Sequence, residues 1–413
     1  MVSLILFAIL FSSTLVVLAI WLYLMISTLR SLKMTPQLGL FPAGNRNRNL
    51  CHNHTRVSII IPARNEERHI RKCLESLHKQ DYLNVEIIAV NDSSSDRTRE
   101  IIQEYSKLVG SGITIIHVDV QYKPEGWSGK NWACYQGYLR ASGDLFLFLD
   151  ADTVLTSSFT ISTAISYLYE YSLDALTVRP KLLCQDTWAK ITLPMLSTLL
   201  HVGRMQQINN QLNRTGGYLF GCFYLITRES YEAIGTHRAV KGEIIEDAAI
   251  GKRIRNHNYL LRAFIGDACI ESIFRGRWNV LQRIVVPRYH KRKTTTILAA
   301  MGVFFITLYP FILFPLSFTP LLDLNGDDND LFLHGLAITI PLLSIGAIIS
   351  TSLIQLKFSI FESLLYALAS PVAGTIISLG FIIYIVDAKI NDTLVSWRGR
   401  KYTIAKGIEG STI

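Results

Sequence analysis

The chain opens on an apolar run. From Val2 to Ser27 there is no charged side chain, and the first charge is Arg30. A bilayer crossing needs ~20 apolar residues, so the run is long enough. A cleaved leader would start basic, have a shorter apolar core and end at a small-residue cleavage site. Residues 1–28 are therefore expected to form a permanent anchor, with Trp21 and Tyr23 near its end. Near the other terminus lie three more segments free of Asp, Glu, Lys and Arg: Thr294–Leu322, Leu331–Leu356 and Ser363–Val386. A charge at mid-bilayer costs ~2.5–3.5 kcal/mol on the insertion scale, so such gaps are the mark of a membrane region. Residues 294–386 are expected to contribute two or three spans. Pro310, Pro315, Pro371 and Gly374 interrupt them, which makes one segment a candidate re-entrant or interfacial hairpin.

The charges between these segments set the expected orientation. Arg30, Lys33, Arg46, Arg48 and Arg56 follow the anchor through a juxtamembrane linker, residues 29–54, and place what comes next in the cytoplasm. The acidic stretch Asp323–Asp330 suits the outer side. The tail, residues 387–413, carries Lys389, Arg398, Arg400, Lys401 and Lys406 and favours the cytoplasm. Four simple crossings would put that tail outside. The two demands agree only if one segment is not a full span. The expectation is a multi-pass protein of the cell membrane with a cytoplasmic central domain.

The central region, residues 55–293, has a different rhythm. Short apolar runs at Val57–Ile61, Val85–Val90, Ile113–Val118 and Leu145–Leu149 read as strands. Helical stretches at Glu66–Lys79, Asp96–Lys107 and Lys130–Ala141 lie between them. Strands alternating with helices predict an α/β domain with a mainly parallel sheet. Near-continuous apolar strands fit a sheet covered on both faces. The domain ends in Arg283, Arg288, Lys291, Arg292 and Lys293 with no acid among them, and Leu281, Ile284 and Val285 share roughly one face. That is the pattern of a basic helix resting on anionic lipid.

Composition agrees with this division. Of 413 residues, 49% are hydrophobic and only 18% charged, so neither a disordered chain nor an ordinary soluble enzyme is expected. The net charge of +9 suits nucleic acid, anionic lipid or an anionic substrate. The six cysteines, Cys51, Cys73, Cys134, Cys184, Cys222 and Cys269, have no CxxC spacing, so reduced thiols are expected rather than a zinc site or disulfide scaffold.

In parallel α/β sheets, ligands bind at the carboxyl ends of the strands. After the first strand stands Pro62-Ala63-Arg64-Asn65-Glu66-Glu67, in which Asn65 is a plausible helix N-cap. No GxGxxG or GxxxxGK[ST] is present, which disfavours dinucleotide and P-loop sites. After the second strand stands Asn91-Asp92, either a turn or an acceptor for a nucleobase or ribose. After the fourth stands Asp150-Ala151-Asp152. Two carboxylates this close are costly without a cation, and a hard divalent ion such as Mg²⁺ or Mn²⁺ is the usual partner. Gly129-Lys130 opens a helix whose start would welcome phosphate. Glu246-Asp247 opens another and offers either caps or a general base. Arg277-Trp278 follows farther on.

Taken in order and spacing, Val57–Glu67, Asn91-Asp92, Asp150-Ala151-Asp152, Glu246-Asp247 and Arg277-Trp278 resemble the family 2 glycosyltransferases. The stretch Gly129–Gly137 is similar to the membrane-bound branch that includes carotenoid (diaponeurosporenoate) and hopanoid-associated glycosyltransferases, and Trp397–Tyr402 resembles the tail of ceramide glucosyltransferase. The resemblance implies a GT-A domain flanked by transmembrane helices, a nucleotide-sugar donor, most often UDP-linked, and a hydrophobic lipid acceptor. It implies that Pro62, Ala63, Asn65, Glu66 and Asp92 line the nucleotide. Lys130, Asp150, Arg277 and Trp278 would contact the donor, Asp152 with Asp150 would hold Mg²⁺ or Mn²⁺, and Asp247 beside Glu246 would be the base. Phe274 stands where related synthases carry Gln or Arg, which argues against processive polymer synthesis. Asp150-Ala151-Asp152-Thr153-Val154 also fits the DxDx[TV] pattern of haloacid-dehalogenase-type phosphatases, with Asp267 and Glu271 as their only suggestive later acids.

Overall fold

A computed structural model describes residues 2–39, 55–107, 114–198, 204–210, 216–274, 293–316, 328–354, 356–390, 394–397 and 400–403. Two compact units emerge: one comprises residues 33–183 and 204–273, the other residues 1–32, 184–203 and 274–413.

The first unit is built on strands β1 (Val57–Ala63), β2 (Val85–Asp92), β3 (Thr114–Val120), β4 (Leu145–Leu149), β5 (Thr153–Leu155), β6 (Ala175–Arg179), β7 (Lys181–Cys184), β8 (Phe223–Thr227), β9 (Leu261–Ile265) and β10 (Ile270–Phe274). Seven of them form one sheet in the order β3-β2-β1-β4-β8-β6-β9. The pairings β1–β2, β1–β4, β2–β3 and β6–β9 are parallel; only β8 runs against its neighbours. All four strands expected from the apolar runs are present. The strands beyond β4 were not expected.

The pleat sorts each strand between two cores. Ile59, Ile61, Ile87, Leu145, Leu147 and Leu149 pack on one face. Ile60, Ile88, Val90, Phe146 and Phe148 pack on the other. This is why the strands read as continuous apolar runs: alternate side chains enter different cores. β1 sits between β2 and β4, with successive strands leaving it in opposite directions. That reversal of strand order opens a crevice at the carboxyl ends of β1 and β4.

The first two helices start later than their sequence patterns suggest, at Ile70 and Thr98. The first of this domain runs Ile70–His78, not from Glu66, and its N-cap is His69. Asn65 is not a helix cap. It takes a left-handed φ of 53°, which Asn tolerates better than most residues.

In the second unit the helices are Val2–Met34, Thr187–Leu196, Lys293–Leu316, Asp328–Ile354, Ile360–Leu368 and Ser370–Ile390. Small polar side chains face inward. Thr14, Ser27, Thr28, Thr307, Ser344, Thr351 and Ser352 are buried, while Leu22, Tyr23, Leu298, Met301, Phe304 and Leu342 are exposed. Tyr309 Oη lies 2.7 Å from both Ser13 Oγ and Thr14 Oγ1, and Trp21 Nε1 donates to the Ile306 carbonyl at 3.2 Å. Small residues and interhelical hydrogen bonds are how helices associate where apolar surroundings give no hydrophobic drive. Among the described residues, one helix is long and apolar enough to cross a membrane, over Ser12–Ser31. The pair Ile360–Leu368 and Ser370–Gly380, bent by 57°, is a second when taken as one broken span. Ile338–Ile354 is apolar but shorter.

Candidate active site

The rim of the crevice is stitched from two loops. Asn65 Oδ1 accepts from Ser95 N (2.9 Å), and Ser94 Oγ accepts from Asn65 N (3.1 Å). Arg64 donates to the carbonyls of Asp92 (2.6 Å) and Ser93 (2.8 Å). Glu66 N donates to Thr98 Oγ1 at 2.7 Å. The polar run after β1 thus bonds to the polar run after β2. Pro62 and Ala63 lie in register with Val90 and Asn91 beneath this rim. Asp92 and Glu66 are both buried.

At the floor, the chain turns tightly out of β4. Thr153 N donates to the Asp150 carbonyl at 3.0 Å, so Asp150-Ala151-Asp152 forms the corner between β4 and β5. The helix Gly129–Tyr138 begins at Ser128, whose hydroxyl accepts from Asn131 N at 3.3 Å. Its second residue, Lys130, reaches Asp150 Oδ1 at 2.8 Å and Glu246 Oε1 at 2.6 Å. Glu246 and Asp247 open the helix Glu246–Asn256, yet the N-cap is Ile245 and Glu246 spends its carboxylate on Lys130. Asp247 Oδ2 accepts from Gly221 N at 3.1 Å. A Cβ at Gly221 would stand 3.1 Å from both Asp247 Oδ2 and Lys130 Nζ, so any larger residue would make these side chains shift by a few tenths of an ångström.

Two thiols, Cys134 buried and Cys222 half-buried, sense the charges. Cys134 is pushed well above its ordinary pKa by burial, and it feels Lys130, Glu246, Asp150 and Asp92. Cys222 is raised likewise by burial and feels Asp150, Lys130, Asp152 and Asp247. Lys130 itself feels Asp150, Glu246 and Asp247, while Asp92 acts on Cys134 and Asp152 on Cys222. Both thiols stay protonated and are unfit as nucleophiles. Burial alone would lower the Lys130 pKa, but Asp150 and Glu246 outweigh it and hold the ammonium well above its usual value. The lysine is a fixed positive charge.

His237 lies behind the site, fully buried. Tyr231 Oη is 2.6 Å from its Nδ1 and Tyr224 Oη 3.4 Å from its Nε2. Burial first, and then Lys130, push its pKa down to about 3 from 6.5. A base whose folded pKa is depressed is neutral in the native state, so its contribution is fully present above 6.5. That contribution is lost as pH falls toward 3. We expect stability to decline by up to ~1.4 kcal/mol per pH unit between pH 6.5 and 5, above the carboxylate range. Thermal midpoints across that window should slope in the wild type and flatten in His237→Gln; equal slopes would contradict the assignment.

Arg277 and Trp278, and the basic residues Arg283–Arg292, lie outside the described residues. Among those described, no three His, Cys, Asp or Glu side chains form a self-sufficient metal site. Asp150 and Asp152 are oxygen donors at one corner, the ligand type a hard divalent ion would take, and Asp150 already faces the Lys130 ammonium at 2.8 Å. Asp267 and Glu271, which a phosphatase reading would need, are engaged by Arg179 (3.1 Å) and Lys181 (2.9 Å). The five described cysteines are free thiols. Sequence reasoning missed Gly221, and noted Asn131 only within the stretch Gly129–Gly137 without giving it a role.

Sheet order, crevice and acid cluster define a GT-A nucleotide-sugar transferase fold. Residues 58–235 match the model of glycosyl transferase family 2. The chain is 30% identical over 224 residues to 4,4'-diaponeurosporenoate glycosyltransferase of Staphylococcus aureus (strain N315), covering 54% of this chain and 57% of that protein. A similar match, 30% over 217 residues, is to the same-named protein of strain USA300, covering 52% and 55%. The chain thus spans just over half the length of these curated relatives. A mannosyltransferase from Pyrobaculum calidifontis, solved with GDP-Man and Mn²⁺, aligns over 94% of this chain and 100% of its own, with a TM-score of 0.54 and 16% identity. That likeness concerns the fold.

Proposed function

We propose that the protein is a metal-dependent, inverting glycosyltransferase. It moves a hexose from a nucleotide sugar, a UDP-sugar by preference, to a hydrophobic acceptor in the membrane. The observation that carries this reading is the acid cluster around Lys130, set at the carboxyl ends of β1, β2 and β4 beside the reversal of strand order. A relative named for carotenoid glycosylation and a fold neighbour solved with a nucleotide sugar and Mn²⁺ both support it.

Each residue then has a task. Pro62, Ala63, Asn65, Glu66 and Asp92 form the nucleotide side of the crevice. Asp152, with Asp150 beside it, would hold Mg²⁺ or Mn²⁺, which when bound neutralises the leaving diphosphate. Lys130 contributes fixed positive charge to the same end, and Arg277 and Trp278 complete the donor site. Asp247 takes the proton from an acceptor hydroxyl as that oxygen attacks the anomeric carbon from the face opposite the diphosphate. One displacement inverts the configuration. A carboxylate acceptor would need no base, so the placement of Asp247 favours an alcohol. Glu246, neutralised by Lys130, braces the helix that carries Asp247.

The second unit serves the acceptor. Its exposed apolar side chains and buried small polar ones support a membrane-embedded bundle, with the bent pair Ile360–Leu368 and Ser370–Gly380 as the broken or re-entrant element. The catalytic domain faces the cytoplasm, so that a lipid head group meets the donor at the interface.

Calorimetric titration of UDP-glucose into the full chain tests the donor site. Binding should require Mn²⁺ or Mg²⁺ and lose that dependence in Asp152→Asn. Identical, metal-responsive binding in the variant would remove Asp152 from the role.

A further inference from the structure

Asp247 is aimed by a segment with little structure of its own. Between the 3₁₀ turn His237–Val240 and the helix Glu246–Asn256, residues 241–245 form only a short irregular connection, and Lys241, Gly242 and Glu243 are exposed. Such a segment has few local reasons to hold one conformation.

It is held from outside, by the start of the helix Gly129–Tyr138. Asn131 is fully buried. Its side-chain amide nitrogen lies 2.6 Å from the Val240 carbonyl, 3.0 Å from that of Glu243 and 3.2 Å from that of Lys241. Three carbonyls converging on one group identify it as the NH₂ end of the amide. Ser128 N adds a fourth bond, donating to the Lys241 carbonyl at 2.7 Å. Lys130, between these two residues, ties down Glu246 at 2.6 Å. Gly242 closes against the same loop: a Cβ there would stand 3.3 Å from the Gly126 carbonyl.

We infer that Asn131 is a positioning residue for the transfer reaction: it clamps the 240–243 carbonyls so that the following helix presents Asp247 to the acceptor. The inference rests on the reading of Asp247 as base. It adds a physical division of labour along one turn. Lys130 answers to charge at the donor carboxylate, and Asn131 fixes the backbone that leads to the base. The two halves of the site are thereby set by consecutive residues of a single helix.

The test uses Asn131→Ala in the full chain, with three readouts. Affinity for UDP with Mn²⁺ should stay within about twofold of wild type, because the donor half is untouched. Tryptic cleavage after the exposed Lys241 should accelerate on the order of tenfold as the clamp is lost. Turnover of UDP-glucose in membranes of the expressing cells should fall on the order of 100-fold in kcat with little change in KM, as expected when a reacting group is misplaced by about an ångström. Asn131→Ala that keeps kcat within about twofold of wild type overturns the inference, whatever its cleavage rate. A purely structural role would lower UDP binding together with kcat, and that outcome also overturns it. Should Asn131→Ala fail to fold, Gly242→Ala crowds the same clamp from the loop side. It should reproduce the kcat loss at unchanged KM, and wild-type kcat there counts against the clamp. Failure of the base reading would show separately, as transfer retained in Asp247→Asn.

Discussion

Asp247→Asn is expected to abolish sugar transfer while leaving donor affinity near the wild-type value. The amide is nearly isosteric and can keep one of the two bonds that the carboxylate accepts, from Gly221 N (3.1 Å) and Ala248 N (2.7 Å). What disappears is proton affinity. General-base assistance contributes on the order of 10²–10⁴ in rate, and a loss of that size in kcat is the expected result. Asp247 suits the role better than its neighbour. Glu246 is buried and bound to Lys130 at 2.6 Å, whereas Asp247 is half-buried and faces the loop at Gly221. Initial rates with radiolabelled donor, beside a UDP titration of the same preparation, separate the two effects. Transfer at more than a tenth of the wild-type rate would remove Asp247 from the chemistry.

Lys130→Met is expected to be the most damaging single change for stability in the catalytic domain. The Lys130 side chain is 20% exposed and Glu246 only 8%, so deleting the ammonium leaves one carboxylate buried without its counter-charge and a second nearby. Breaking such a pair from one side costs about 3–5 kcal/mol, most of it the stranded charge rather than the pair's net worth. Glu246→Gln in the same chain should therefore recover part of the loss. Thermal midpoints of single and double variants decide the matter. If the double variant is no more stable than Lys130→Met, the two groups are not coupled as the geometry requires.

Much of the catalytic domain was legible in the sequence because its first half is locally consistent. β1, β2 and β4 are buried on both faces, and a strand in that setting reads as an unbroken apolar run. Asp92, Asp150 and Asp152 stand out in the sequence for a related reason, as charges at the ends of such strands, whereas Asp247 stands in the first turn of a helix. The later strands were not. β6, β8 and β9 are five residues each and mix Arg or Thr into their ends, so nothing in their pattern separates them from loops. The expected Asn65 cap failed for a tertiary reason. Its side chain found Ser95 across the crevice, and the helix began five residues later. Gly221 could not be read at all and Asn131 only as part of the stretch Gly129–Gly137, since their contacts are with backbone and side chains 26 and 109 residues away. In the second unit the segments free of charge coincide with helices, and the last of them breaks near Pro371 into a bent pair.

The most direct test of the whole account follows the sugar. Membranes containing the full chain are incubated with a panel of labelled nucleotide sugars and a divalent cation, then extracted with organic solvent. The account predicts label in the lipid fraction from at least one donor, dependent on the cation and absent with Asp247→Asn. Label confined to water-soluble polymer, or equal lipid labelling by the variant, would contradict it.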